Sequence, residues 1–186
     1  MARMKTSITP GVLIAAPQLY DPNFDRTVVL MCDHSEEGAM GLVINRPSPI
    51  SMENVFQGLN LEAPPGVAPP VLVGGPVQPE RGWLIHSSPT KEGESIEVAE
   101  CIYISTSRSV LEAVQRGIGP SPYRLALGYS GWGPGQLETE IAAGAWIIGK
   151  AYPALVFDVP IEKKWEQALA DLGIDPAQLA DTVGEA

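Results

Sequence analysis

The chain has two histidines and two cysteines, so acid–base, thiol or metal chemistry must pass through very few residues. Cys32 and His34 stand two apart in a β-branched apolar run, which puts both on one side of a strand. With His86 and Cys101 they would make a Cys₂His₂ set, but the spacing matches no common zinc pattern. No metal and no cofactor is expected. Both cysteines sit in apolar runs, the usual setting of buried reduced thiols, so no disulfide is expected either. Ser130 lies in Gly128-Tyr129-Ser130-Gly131-Trp132, where a nucleophile elbow would need glycine in place of Trp132. Both histidines also precede Ser130, whereas the hydrolase order puts the histidine after the serine. A hydrolase using Asp21, His34 or His86 as acid or base is the enzymatic alternative. It lacks a motif, and the reading leans away from an enzyme.

The stronger signal is for recognition. Glycines 128, 131, 133 and 135 are interleaved with Tyr129, Trp132 and Pro134 between an apolar run and a helical pattern. This reads as strand, tight glycine turn and helix, with Pro134 at the first helical position. A helix start offers free N–H groups to an anion, and Gln136 adds a side-chain donor. Asn45-Arg46-Pro47 and Gly74-Gly75-Pro76, with Arg81 and His86 beyond, also fall at strand ends, where crevices form. The candidate ligand-binding set is therefore Asn45, Arg46, Gly75, Arg81, His86, Tyr129, Trp132 and Gln136. The competing reading is architectural: the glycines seat Trp132 in the core, and Arg46 pins backbone carbonyls or pairs with Glu140. Arg108, Arg116 and Arg124 lie outside these clusters and read as solvated.

The elements that position these residues follow from periodicity. Strands are expected over Val12–Ala15, Thr27–Cys32, Ala39–Ile44, Val71–Val73, Gly82–His86, Ile96–Ile104 and Ala145–Ile148. Asp33–Gly38 reads as the turn of a hairpin, and Asp21-Pro22-Asn23-Phe24 as a capped helical turn. Ser51 caps a helix through Gln57, ended by Gly58. Ser109 and Glu112 suggest a capping box for a helix closed by Gly117. Pro153–Asp158 reads as a further edge strand. Pro160 opens a helix striped by Ile161, Trp165, Leu169 and Leu172, and Asp175-Pro176 starts a short C-terminal helix. Ala63–Pro70, with four prolines, is a surface loop. Hairpins mixed with helices, without regular βα alternation, indicate an α+β fold.

The chain's 186 residues read as one domain, 1–186, long enough for a core without disulfides. With 19 glycines and 18 prolines, tight turns and irregular connections should be frequent. A net charge of −10 disfavours direct contact with nucleic acid. No apolar stretch approaches the length of a membrane span, and the acidity suits the cytoplasm.

Three clusters carry a family resemblance. They are Asp21 to Leu30 with His34 and Gly41-Leu42-Val43-Ile44-Asn45-Arg46-Pro47; Gly74-Gly75-Pro76-Val77 with Arg81-Gly82 and His86; and Gly128 to Glu140. In this order, over nearly the whole chain, they resemble the YqgE/AlgH family of bacterial proteins. The resemblance implies a single α+β domain with a strongly bent, partly barrel-like mixed sheet surrounded by helices. It implies no catalytic activity or cofactor. One branch of the family is named for a proposed role in regulating alginate production. The family usually carries alanine at the position of Ser130, which argues against a nucleophile there. The functional expectation is a non-enzymatic regulatory protein that binds a small anionic ligand or a protein partner, with only indirect effects on gene expression. The remaining possibility is that the motifs only specify the fold.

Overall fold

A computed structural model describes residues 7–178. Near one edge of its sheet lies β1 (Val12–Ala15), four buried apolar residues with strands on both sides. β1 pairs with β2 (Val28–Ser35) and with β9 (Trp146–Gly149), both antiparallel. Side chains alternate between faces along each strand. Val12, Ile14, Val28 and Leu30 therefore enter one apolar cluster, and Leu13, Ala15, Val29 and Met31 another.

From β2 the sheet continues through β3 (Gly38–Val43), β8 (Tyr123–Trp132), β5 (Val77–His86), β7 (Ile102–Ser105) and β6 (Ile96–Ala99). The short β4 (Leu72–Val73) lies parallel to β8, and the other pairings are antiparallel. The nine strands form the expected bent mixed sheet, which stays open although the bend brings β6 beside β2.

Helices cover the faces. α1 (Met52–Gly58) and α2 (Arg108–Gln115) pack on the β5–β8 end through Met52, Phe56, Val110 and Val114 against Leu84 and Leu125. α3 (Gln136–Ala142) covers the β2–β3 end through Leu137. α4 (Pro153–Phe157), a 3₁₀ turn (Ile161–Lys163) and α5 (Lys164–Ala170) pack Leu155, Phe157, Trp165 and Leu169 against the main cluster. Lys164 is buried. Its Nζ donates to the carbonyls of Leu155 and Val156 at 2.5 and 2.7 Å, closing the end of α4. Burial lowers the Lys164 pKa to about 8.

Several expectations are corrected. The segment from Gly128 to Trp132 is not a turn. β8 runs on to Trp132, paired with β3, and the turn occupies only 133–135. α3 begins at Gln136 after a left-handed Gly135, so Pro134 is not its first residue. β2 continues to Ser35, which shortens the hairpin turn. Ile96–Ile104 is broken at Glu100–Cys101 into a hairpin, with Cys101 left-handed (φ 58°) and exposed rather than buried. The capping box does not form: Ser107 is the N-cap, and Glu112 turns to Arg108. The expected strand Pro153–Asp158 is instead helix α4 with Asp158 as its C-cap, because Pro153 at the helix start favours a helical first turn over a strand. Leu172 is exposed and off the expected stripe. Ser51 does cap α1, accepting from the Asn54 N–H at 3.1 Å. The C-terminal helix is described over 176–178, and the rest of that expectation lies outside the described residues.

Candidate functional site

The glycine motifs meet as one backbone crossing. A Cβ on Gly74 would stand 2.4 Å from the Gly128 carbonyl oxygen, and one on Gly128 2.4 Å from that of Gly75. A Cβ on Gly75 would lie 2.2 Å from the Tyr129 carbonyl carbon. No side chain fits there, and Gly128 also needs a left-handed φ of 74°. Ser130 is buried, and its hydroxyl donates to the Gly74 carbonyl at 3.1 Å, so it ties the crossing together. Beside it the Arg81 guanidinium lies 4.7 Å over the Trp83 ring, which meets Tyr129 edge-on.

A second group surrounds the 21–26 turn. Arg46 Nη1 donates to the Pro22 carbonyl at 3.0 Å and to that of Asn23, and Nη2 to that of Asp25 at 3.0 Å. Asn45 accepts from the Val28 N–H at 2.8 Å and donates to the Arg26 carbonyl at 2.9 Å. Trp132 is buried against Phe24 and Trp146, with ring centroids 6.1 and 5.9 Å away. Gln136 turns its Oε1 back to accept from the Gly133 N–H at 3.0 Å. The structure thus brings Asn45, Arg46 and Trp132 to one turn, and Gly75, Arg81 and Tyr129 to the crossing.

His86 stands apart from both. The Ser88 carbonyl, 2.6 Å from Nδ1, fixes that nitrogen as the donor, so Nε2 accepts from the Ser105 hydroxyl at 2.8 Å. Ser95 extends the chain at 3.2 Å from Ser105. Burial holds the His86 pKa below its ordinary value. The pairing resembles a base with a hydroxyl nucleophile. Yet the ring has no exposed surface and Ser105 is only 4% exposed, so no substrate reaches them here. His34 is occupied on both sides. Nδ1 accepts from the Ile8 N–H at 3.1 Å, and Nε2 donates to Glu138 at 2.6 Å, which lowers the Glu138 pKa. Cys32 does not share its surroundings. A bulge between Met31 and Asp33 upsets the alternation, and Cys32 packs against the main cluster. Burial pushes the Cys32 thiol up to about 12. Among the described residues, no three His, Cys, Asp or Glu side chains converge as a metal site.

The open feature lies elsewhere. Between α1 and α2, over β5 and β8, runs a cleft of about 430 Å³. Val55 and Leu59 form one wall and Leu111 the other, with Leu125 and Leu127 as floor. Gly82 opens it: a Cβ there would touch only Leu125 at 3.5 Å and Leu127 at 4.0 Å, both ordinary contacts. Thr106 and Arg108 stand at one end, and Glu80 is the other charged residue on the lining. A wider depression of about 910 Å³ is lined by Trp165 and by Arg26, whose guanidinium lies 4.6 Å over that ring. The sequence reading missed the cleft and treated Arg108 as merely solvated. The available signal was the apolar residues that α1 and α2 carry off their core stripes.

The profile of the AlgH-like family matches residues 12–177. A UPF0301 protein of Paraburkholderia phymatum is 46% identical over 185 residues, covering 98% of this chain and 97% of that one. One from Anaeromyxobacter dehalogenans is 46% identical over 178 residues, covering 91% and 90%. The solution structure of AlgH from Pseudomonas aeruginosa matches with a TM-score of 0.77 at 39% identity, covering 97% of this chain and 96% of that one. A crystal structure of a Corynebacterium diphtheriae protein, 24% identical with a TM-score of 0.73 over 96% and 94%, shares the fold. On the family match and the full-length relatives together, the chain belongs to the AlgH-like family.

Proposed function

We propose that this chain is a non-catalytic binding protein of the cytoplasm, whose ligand enters the cleft between α1 and α2 and through it regulates a partner. The observation that carries this is the cleft itself: about 430 Å³, apolar on its walls and floor, and opened by a glycine. That volume lies within the range of small-molecule sites, roughly 300–1,000 Å³. His34, His86, Ser105 and Ser130 are engaged internally or sealed. A charge of −10 favours action through a partner over contact with DNA or RNA. The acidity and two unbridged cysteines fit a cytoplasmic setting.

The test is a backbone-amide NMR titration with N-phenyl-1-naphthylamine, a neutral apolar fluorophore. The expected shifts cluster on α1, the start of α2, Gly82 and 125–127. Shifts confined to 21–26, Arg46 and 132–136 would return the site to the arginine and glycine motifs and overturn the reading.

A further inference from the structure

From the polar end of the cleft we infer the class of its ligand: an apolar body bearing one carboxylate, with the carboxylate held by Arg108 and Thr106. The inference rests on the cleft being the binding site. Arg108 uses Nε to meet Glu112 Oε1 at 3.0 Å. Neither of its Nη groups makes a hydrogen bond among the described residues. The guanidinium therefore keeps the paired donors that match a carboxylate. Thr106, two residues before it, is exposed and supplies a hydroxyl at the same end.

The surroundings of the pair allow the exchange. The Arg108–Glu112 contact is an exposed i,i+4 pair, a weak type that a ligand carboxylate can share or displace. The first turn of α2 carries no acidic residue, and the Ser107 side chain makes no capping hydrogen bond, so that helix end keeps its positive character. Glu80 opposes an anion. It is exposed, as are its neighbours 77–81 in that arm of β5, so water and salt screen it. The apolar body fits Leu111, Leu125 and Leu127 and the space above Gly82. One cation above an apolar slot selects a monocarboxylate over an uncharged or cationic molecule of the same shape.

The test displaces N-phenyl-1-naphthylamine with three ligands sharing one tail: decanoate, decanol and decyltrimethylammonium. The wild type should bind decanoate about tenfold more tightly than decanol, the scale of one charge-assisted hydrogen-bonded contact. Decyltrimethylammonium should be the weakest. Arg108→Ala should abolish the preference for decanoate, weakening decanoate far more than decanol, and continued fluorophore binding reports an intact cleft. Arg108→Lys should restore only part of the preference. Equal binding of the three ligands by the wild type, or an unchanged preference in Arg108→Ala, would overturn the carboxylate assignment and leave the cleft standing. Failure of the fluorophore and of every ligand to bind would overturn both.

Discussion

The backbone crossing, where the link from β4 to β5 meets β8, and the helical cleft over β5 and β8 use glycine in opposite ways. At the crossing, Gly74, Gly75 and Gly128 are glycines because another backbone occupies the place of each Cβ. At the cleft, Gly82 has room for a side chain and leaves it empty. The first arrangement fills space and the second keeps it open. Between them β5 buckles, since the pairing with β8 shifts register between Val77 and Gly82. The conspicuous motifs are thus spent on letting one backbone cross another within a bent, open sheet, and the ligand space falls to ordinary leucines beside it.

The largest predicted effect breaks the crossing. Gly128→Ala places a Cβ 2.4 Å from a carbonyl oxygen at a left-handed φ, and Gly75→Ala is as crowded. Either should lower Tm by more than about 10 °C or prevent folding, read by circular dichroism. A near-normal melt would show that the crossing relaxes and that these glycines serve something else. Arg46→Ala comes next. It removes donors to three turn carbonyls and should cost about 2 kcal/mol in denaturant titrations. Fluorophore affinity should not change, and a selective loss of binding would put Arg46 back in a ligand site.

A smaller effect follows from His86. Its folded pKa is depressed by burial below the ordinary value of about 6.5. In the window between them the unfolded chain binds a proton that the folded chain does not. Stability from this group is therefore full above about pH 6.5 and falls as pH drops toward the folded value. His86→Gln should flatten that part of the profile relative to wild type, as measured by unfolding midpoints from pH 7.5 to 5. Identical slopes would refute the depressed value. The smallest effect is Glu112→Gln, within about 0.5 kcal/mol of wild type, because it removes only an exposed helical pair.

These comparisons also show what the sequence could disclose. The buried strands, the Ser51 cap and the α+β class were legible because apolar runs and caps act locally. The role of Arg46 was legible only as alternatives, since a guanidinium suits a ligand or a ring of carbonyls equally until the 21–26 turn is seen folded around it. Cys101 was misplaced because a two-residue turn interrupts a continuous apolar pattern, leaving the thiol outside. The Gly128 segment was misread because glycine at positive φ inside a strand looks, residue by residue, like a turn. The cleft had no local signature at all. It depends on the spacing of two helices far apart in the chain and on a missing side chain at Gly82.

The most direct measurement fills that missing side chain. Gly82 has ordinary backbone geometry and room for a Cβ, so Gly82→Leu should fold and project into the cleft. N-phenyl-1-naphthylamine titrations should show affinity reduced by about tenfold or more, while Tm stays within about 4 °C of wild type. Wild-type affinity in a folded Gly82→Leu protein would contradict the placement of the ligand between α1 and α2.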